Sequence, residues 1–399
     1  MGEDAPAWAL GMQWESELSF EQLHGAVELA RHGARLDPNT PGNWLVLSHA
    51  LAKLGKFEEA TGCLRDAVAL LPRAFEVRIR LVEILFDQDS FDEALLHVEQ
   101  ALALAPDEAR AKRFHLDLLA LMGAHQNLDI AKLSAFLTDS AHLLNVAAKS
   151  LGSAGTLELC ESILAERPGH TCATYLKALS LAQLGAAEEA CRIISLTGRL
   201  IDIYELPAPP GYSDGASFRH ALAEEIRQNP TLVGDHKGKA AHASLQTRSL
   251  RQPGAVAVEA LLRQIRQAID AYEQRLIEAD EELILHRPRC ARVEPWAMVC
   301  GGDGRQSSHV HPRGWVTGVY YVSAPRPDGA NAYRGPLLIG AAGTKQTVKP
   351  PWGTREIEPV PGRLVLFPSY VPHSTLPSGV AGDRISIAFD VVATASGQA

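Results

Sequence analysis

The chain has no C-x-x-C pair: its six cysteines (Cys63, Cys160, Cys172, Cys191, Cys290, Cys300) are scattered over 399 residues. That excludes the paired spacing of a zinc site or a disulfide framework and predicts reduced, mostly buried thiols in a cytosolic protein. No apolar run reaches the roughly 18 residues needed to cross a membrane. The acidic start, Met1-Gly2-Glu3-Asp4-Ala5-Pro6, has no apolar signal core, and without Ser or Thr at position 6 it argues against N-myristoylation. Positive charge is also in short supply. A formal net charge of -9 gives no reason to expect a nucleic-acid partner, since polyanions attract basic faces. With 46% hydrophobic residues, the chain is long enough for two or three domains with sizeable cores. These features predict a soluble, cytoplasmic protein.

The first half is periodic. Ala26, Ala60 and Ala94 recur at equal intervals, and so do Pro38, Pro72 and Pro106, with a shared period of about 34 residues. Leu54-Gly55-Lys56-Phe57-Glu58-Glu59-Ala60 is echoed by Gln88-Asp89-Ser90-Phe91-Asp92-Glu93-Ala94, and apolar residues at helical spacing surround both. A small residue lets two helices approach closely, and proline cannot continue the helix it follows. This pattern resembles the tetratricopeptide repeat. Leu181-Ala182-Gln183-Leu184-Gly185-Ala186-Ala187-Glu188-Glu189-Ala190 repeats the same texture, out of that register, after Pro168. The reading is an all-α tetratricopeptide-type solenoid over 8–203. Its concave face would hold a peptide or protein; otherwise it packs against the second domain or drives homodimer formation.

Glu205-Leu206-Pro207-Ala208-Pro209-Pro210-Gly211-Tyr212 then breaks the pattern. Helical spacing returns over Ser217 to Arg227 and Ala255 to Ala279, with a polar stretch, Lys237 to Thr247, lacking a clear period between them. From about Arg292 the period becomes two, in short runs such as Trp315 to Val322, Leu337 to Ile339, Arg363 to Pro368 and Arg384 to Val392. Helices followed by many short strands predict a double-stranded β-helix (jelly roll) with supporting helices over 204–395. The fold class is therefore multidomain, α then β.

Chemistry concentrates in that second region. His309-Val310-His311 places two ligand-capable side chains at i and i+2, on one side of an extended strand. His373, far downstream of this pair, follows the strand-and-turn unit Pro361 to Pro372. Together they could close one face of an octahedral metal and leave the other face open. Arg384 opens a final strand whose alternate residues Arg384, Ser386 and Ala388 share a face, and its planar fork suits a dicarboxylate. For each histidine a plainer role also exists: solvated for His309, turn-capping for His311, core for His373.

The segment from about 296 to 392 resembles the Fe(II)/2-oxoglutarate-dependent oxygenases, especially prolyl-hydroxylase-like members. The region 206–393 is similar to a bacterial oxygenase family often fused to tetratricopeptide repeats. The resemblance implies that His309 and His373 are metal ligands. It implies that Arg384 and Tyr321 hold the far carboxylate of 2-oxoglutarate, with Ser386 beside them. It also implies O2 as a partner and oxidative decarboxylation to succinate coupled to C–H hydroxylation. One position departs from the family pattern. His311 stands where an Asp or Glu is usual, so either His311 is a third ligand or Asp303 or water fills that place.

Trp296, Trp315 and Trp352 would line the cavity or simply pack the core, and Arg305 and Arg313 read as solvated. Three functions remain open. One is an oxygenase hydroxylating a protein or peptide side chain recruited by the repeats. A second is a cupin-like three-histidine metalloenzyme that does not use 2-oxoglutarate. The third is a non-catalytic interaction protein.

Overall fold

The computed structural model describes residues 13–14, 20–122, 140–197, 199–234, 240–279, 281–326, 332–341 and 349–394. The expected domain ends at 8 and 395, the acidic start, and Lys237-Gly238-Lys239 lie outside them. The chain folds as two compact units. The smaller comprises Glu17–Lys149 with Arg251–Pro253; the larger comprises Met1–Ser16, Ser150–Leu250 and Gly254–Ala399.

The smaller unit is a stack of antiparallel helices: α1 (Phe20–Leu36), α2 (Pro41–Lys53), α3 (Phe57–Leu70), α4 (Phe75–Asp87), α5 (Phe91–Leu104) and α6 (Ala109–Leu121). The repeat period appears in its contacts. Arg31 pairs with Glu59 at 3.1 Å, and one period on Arg65 pairs with Glu93 at 2.7 Å. Ala60 and Ala94 are fully buried where helices cross, alongside Leu64 and Val98. These tetratricopeptide-like repeats bury each helix against its neighbours. Ala60→Leu is expected to overpack that crossing and cost about 1–3 kcal/mol, read as a lower urea midpoint at unchanged slope.

The turn between paired helices needs a left-handed residue, met by Gly55 at φ 73° and, one period later, by Asp89 at φ 58°. In both turns the same backbone bond closes the helix: Lys56 N to Leu51 O and Ser90 N to Leu85 O, each 2.9 Å. Gly185, at φ 88°, and Ala186 N to Leu181 O, at 2.9 Å, repeat this turn in the larger unit.

There the helical run α7 (Ala141–Glu166), which enters from the smaller unit, is broken at Gly152, where φ is 67°. It leads into the hairpin α8 (Thr171–Gln183) and α9 (Ala187–Ile193). Sequence periodicity assigned this hairpin to the solenoid. Its buried face, Ala178, Leu181, Ala190 and Ile194, packs instead with sheet residues including Leu337, Ile339, Val365 and Phe367. The repeat texture records a helix–turn–helix unit, and the surface it covers is not encoded in that texture.

The sheet runs in the order β2 (Asp202–Glu205), β9 (Arg363–Pro368), β6 (Gly314–Ser323), β11 (Arg384–Ala393), β5 (Cys290–His309), β10 (His373–Thr375), β7 (Leu337–Ile339), β8 (Arg355–Ile357). Strand β1 (Gln13–Trp14) adds parallel to β5, and the hairpin of β3 (Leu232–Gly234) and β4 (Ala241–Thr247) also joins at β5. The first half of the long strand β5 pairs with β11, and its end pairs with β10. One continuous sheet thereby curls over itself as a jelly roll.

Strand alternation sorts its two faces. Ile385, Ile387, Phe389 and Val391 pack with Leu222, Ile226, Ile265 and Ile269 of the supporting helices α10 (Gly215–Arg227) and α11 (Val256–Glu278). The intervening residues of β11 face into the roll. The helices and later strands appear close to where periodicity put them, whereas β3 and β4 were missed. Ala243, at φ 48°, marks a register shift in β4 that destroys its two-residue period.

Candidate metal and co-substrate site

His309 is the last residue of β5, His311 sits in the turn that follows, and His373 opens β10. Pairing of His373 with His309 across the two strands brings them together. The ring atoms converge: His311 Nε2 lies 3.2 Å from Nε2 of both His309 and His373. Among the described residues these three form a cluster able to hold a metal, their ligand atoms all within 4.8 Å of one another. Asp303 is exposed on β5 and is not part of it.

The opposite ring nitrogens show what the convergence means. His309 Nδ1 meets the Ser307 carbonyl at 2.8 Å, and His373 Nδ1 meets the Val371 carbonyl at 3.1 Å. His311 Nδ1 meets Asp390 Oδ1 at 2.7 Å. A carbonyl only accepts, so the protons of His309 and His373 sit on Nδ1 and leave their Nε2 lone pairs bare. Burial, reinforced by the neighbouring His311, lowers the pKa of His309 to about 4. Burial and the two flanking histidines take His373 well below its ordinary value. These imidazoles are therefore neutral near pH 7. The bare Nε2 lone pairs of His309 and His373 both face His311 Nε2 at 3.2 Å, so the three nitrogens share a point that one cation could occupy. The donor set fits a divalent transition metal, and each ring is held from behind as metal-ligating histidines usually are. Trp296 stacks on His311 at 5.6 Å between ring centroids, and Phe367 meets the His373 ring edge-on at 4.8 Å.

A pocket with about 490 Å³ of atom-free space, partly open to solvent, runs from His311 and His373 to Arg384. Tyr321, Ser386, Thr317 and Thr375 also line it. Arg384 is 3% exposed and donates to neutral acceptors: the Gly335 carbonyl, the Leu376 carbonyl at 3.0 Å and Thr375 Oγ1 at 3.0 Å. A buried guanidinium among neutral partners is a ready counter-charge for a carboxylate entering the pocket. Burial pushes the Tyr321 phenol up to about 12, opposed by nearby Arg384, so the hydroxyl keeps its proton to donate. All six residues singled out from sequence thus lie at one site.

Of the three tryptophans considered, Trp296 lines the pocket. Trp315 and Trp352 are buried in apolar clusters and bond the Leu283 and Gly340 carbonyls. Arg305 and Arg313 are exposed, the latter paired with Glu294 at 3.1 Å.

Sequence reasoning did not find Asp390, Thr317, Thr375 or Gly335. Asp390 was reachable, because it continues the parity of Arg384, Ser386 and Ala388 along the last strand. Gly335 lies at φ 80°, and a Cβ there would collide with the Arg384 guanidinium. Gly335→Ala is expected to displace that side chain and weaken 2-oxoglutarate binding about tenfold, equivalent to about 1.4 kcal/mol, with metal affinity unchanged in calorimetric titrations.

Residues 294–390 match the family model described as "Putative 2OG-Fe(II) oxygenase". This part of the chain is a domain of 2OG-Fe(II) oxygenase type, and that description names its cofactors, Fe(II) and 2-oxoglutarate. No curated protein matches the chain. Among solved structures, a Pseudomonas putida prolyl-4-hydroxylase is similar at 20% identity and a TM-score of 0.34, covering 53% of this chain and 99% of that one. A Trichoplax adhaerens prolyl hydroxylase, solved with a hypoxia-inducible-factor peptide fragment, is similar at 14% identity and 0.34, covering 53% and 92%. A tetratricopeptide repeat protein from Parabacteroides merdae is similar at 18% identity and 0.35, covering 44% and 72%.

Proposed function

We propose that the protein is an Fe(II)- and 2-oxoglutarate-dependent hydroxylase whose substrate is a protein or peptide side chain recruited by the tetratricopeptide-like helices. The observation that carries the catalytic half is the meeting of three imidazole Nε2 atoms, 3.2 Å apart about His311, with every Nδ1 tied to an acceptor. In this reading His309, His311 and His373 hold the iron. Arg384 and Tyr321 bind the far carboxylate of 2-oxoglutarate, with Ser386 alongside. Bound Fe(II) supplies O2 activation coupled to decarboxylation of 2-oxoglutarate.

The chain's own contribution is orientation and exclusion. Arg384 aims the co-substrate along the pocket, Tyr321 donates its proton to the same carboxylate, and Trp296 and Phe367 cover the imidazole rings. Recruitment of a peptide rests on the repeats, because stacked helical pairs present an extended surface.

The test is isothermal titration of 2-oxoglutarate into anaerobic, Fe(II)-loaded protein, followed by succinate release in the presence of candidate peptides. Saturable binding that requires iron supports the oxygenase. Iron binding without 2-oxoglutarate binding would favour a three-histidine metalloenzyme of another kind. Binding of neither would leave an interaction protein.

A further inference from the structure

We propose that Asp390 is a positioning residue that supplies, one residue further out, the negative charge a carboxylate ligand would otherwise bring to the metal. The inference rests on the metal site proposed above. Asp390 lies near the end of β11 with its side chain 14% exposed. Its Oδ1 accepts from His311 Nδ1 at 2.7 Å and from Thr317 Oγ1 at 2.7 Å. Thr317 Oγ1 in turn lies 2.7 Å from Ser369 Oγ, and the Ser369 carbonyl accepts from His311 N at 3.0 Å. The ring and the main chain of His311 are thus anchored to one buried polar network. Gly314 leaves it room, since a Cβ there would strike Ser369 Oγ and lie 3.3 Å from Asp390 Cγ.

His309 and His373 are held differently, by backbone carbonyls. A carbonyl orients a ring but brings no net charge. A carboxylate does both, and it makes the imidazole a stronger electron donor. Three neutral imidazoles leave the full double charge of a divalent ion uncompensated. With Asp390 in contact with the ring, the site and its immediate surroundings carry the same total as two histidines and one carboxylate ligand.

The network also accounts for histidine at position 311. An aspartate there would put a second carboxylate into the enclosed space around Asp390, where two like charges disfavour each other. The carboxylate and the imidazole therefore exchange roles as a pair.

The test measures Co(II) affinity of the full-length metal-free chain by competition with a chromophoric chelator, which needs no turnover. The variants are Asp390→Asn, His311→Asp and both combined, with thermal melts of each to establish folding. Asp390→Asn is isosteric and retains an acceptor, so it isolates charge. It should weaken Co(II) about 10–100-fold and shift the His311 ring signals in nitrogen-15 NMR, with the melting curve preserved.

His311→Asp alone should bind weakly, and adding Asp390→Asn should restore at least about tenfold, a coupling absent from independent sites. Asp390→Asn within about threefold of wild type, or a double variant no tighter than His311→Asp, would overturn the role of Asp390. Failure of the wild-type chain to bind Co(II) would instead remove the metal site itself, and this inference with it.

Discussion

Arg384→Ala is expected to reduce 2-oxoglutarate affinity at least about 100-fold while leaving Fe(II) affinity nearly unchanged. The guanidinium is buried and its partners among the described residues are neutral, so an incoming carboxylate would supply a counter-charge. Charged hydrogen bonds are worth about 1.5–3 kcal/mol each, and a bidentate pair therefore accounts for two or more orders of magnitude in binding. The same side chain ties the Gly335 and Leu376 carbonyls together, so alanine also loosens the segments around them. Arg384→Lys separates these effects. It keeps the charge and loses the planar fork, and it should recover only part of the affinity. Anaerobic calorimetry with 2-oxoglutarate reads both variants. Wild-type affinity in Arg384→Ala would show that the co-substrate binds elsewhere.

The second large effect is at His373. His373→Ala removes one of the three converging lone pairs and should lower Fe(II) affinity well beyond the roughly 10–100-fold that loss of an outer-shell partner costs. In the metal-free fold the change removes chiefly the Nδ1 bond to the Val371 carbonyl and the packing of the ring on Phe367, so that cost is read separately, without metal. The signature is therefore differential. Wild-type protein gains stability when metal is added, by about 2.7 kcal/mol at a hundredfold excess over its dissociation constant, and the variant loses that gain. Thermal melts with and without anaerobic Fe(II) check it. An equal metal-induced shift in both proteins would mean that His373 is not a ligand.

Much of the architecture was legible because its signals are local and periodic. Alanines, prolines and the Gly55/Asp89 turn recur with one period, since each repeat must solve the same crossing and the same left-handed turn. Strands β6, β7, β9 and β11 were visible as short apolar runs bounded by glycine and proline. The histidine and arginine positions stood out because few other chemistries need that set of residue types. Strand β4 was not legible, since the bulge at Ala243 breaks alternation, and a hydrophobic pattern is the only strand signal available without pairing partners.

The sequence by itself determined the order of helical repeats and sheet, the residues proposed to hold metal and dicarboxylate, and the faces on which strand parity puts them. Only the tertiary structure decided that hairpin α8–α9 covers the sheet, since an amphipathic face specifies burial and not its partner. Only it brought Asp390, on the last strand, to the ring of His311, and the Gly335 carbonyl to the Arg384 guanidinium. Such contacts depend on how a curled sheet closes, and closure is set by strand pairing between segments far apart in the chain.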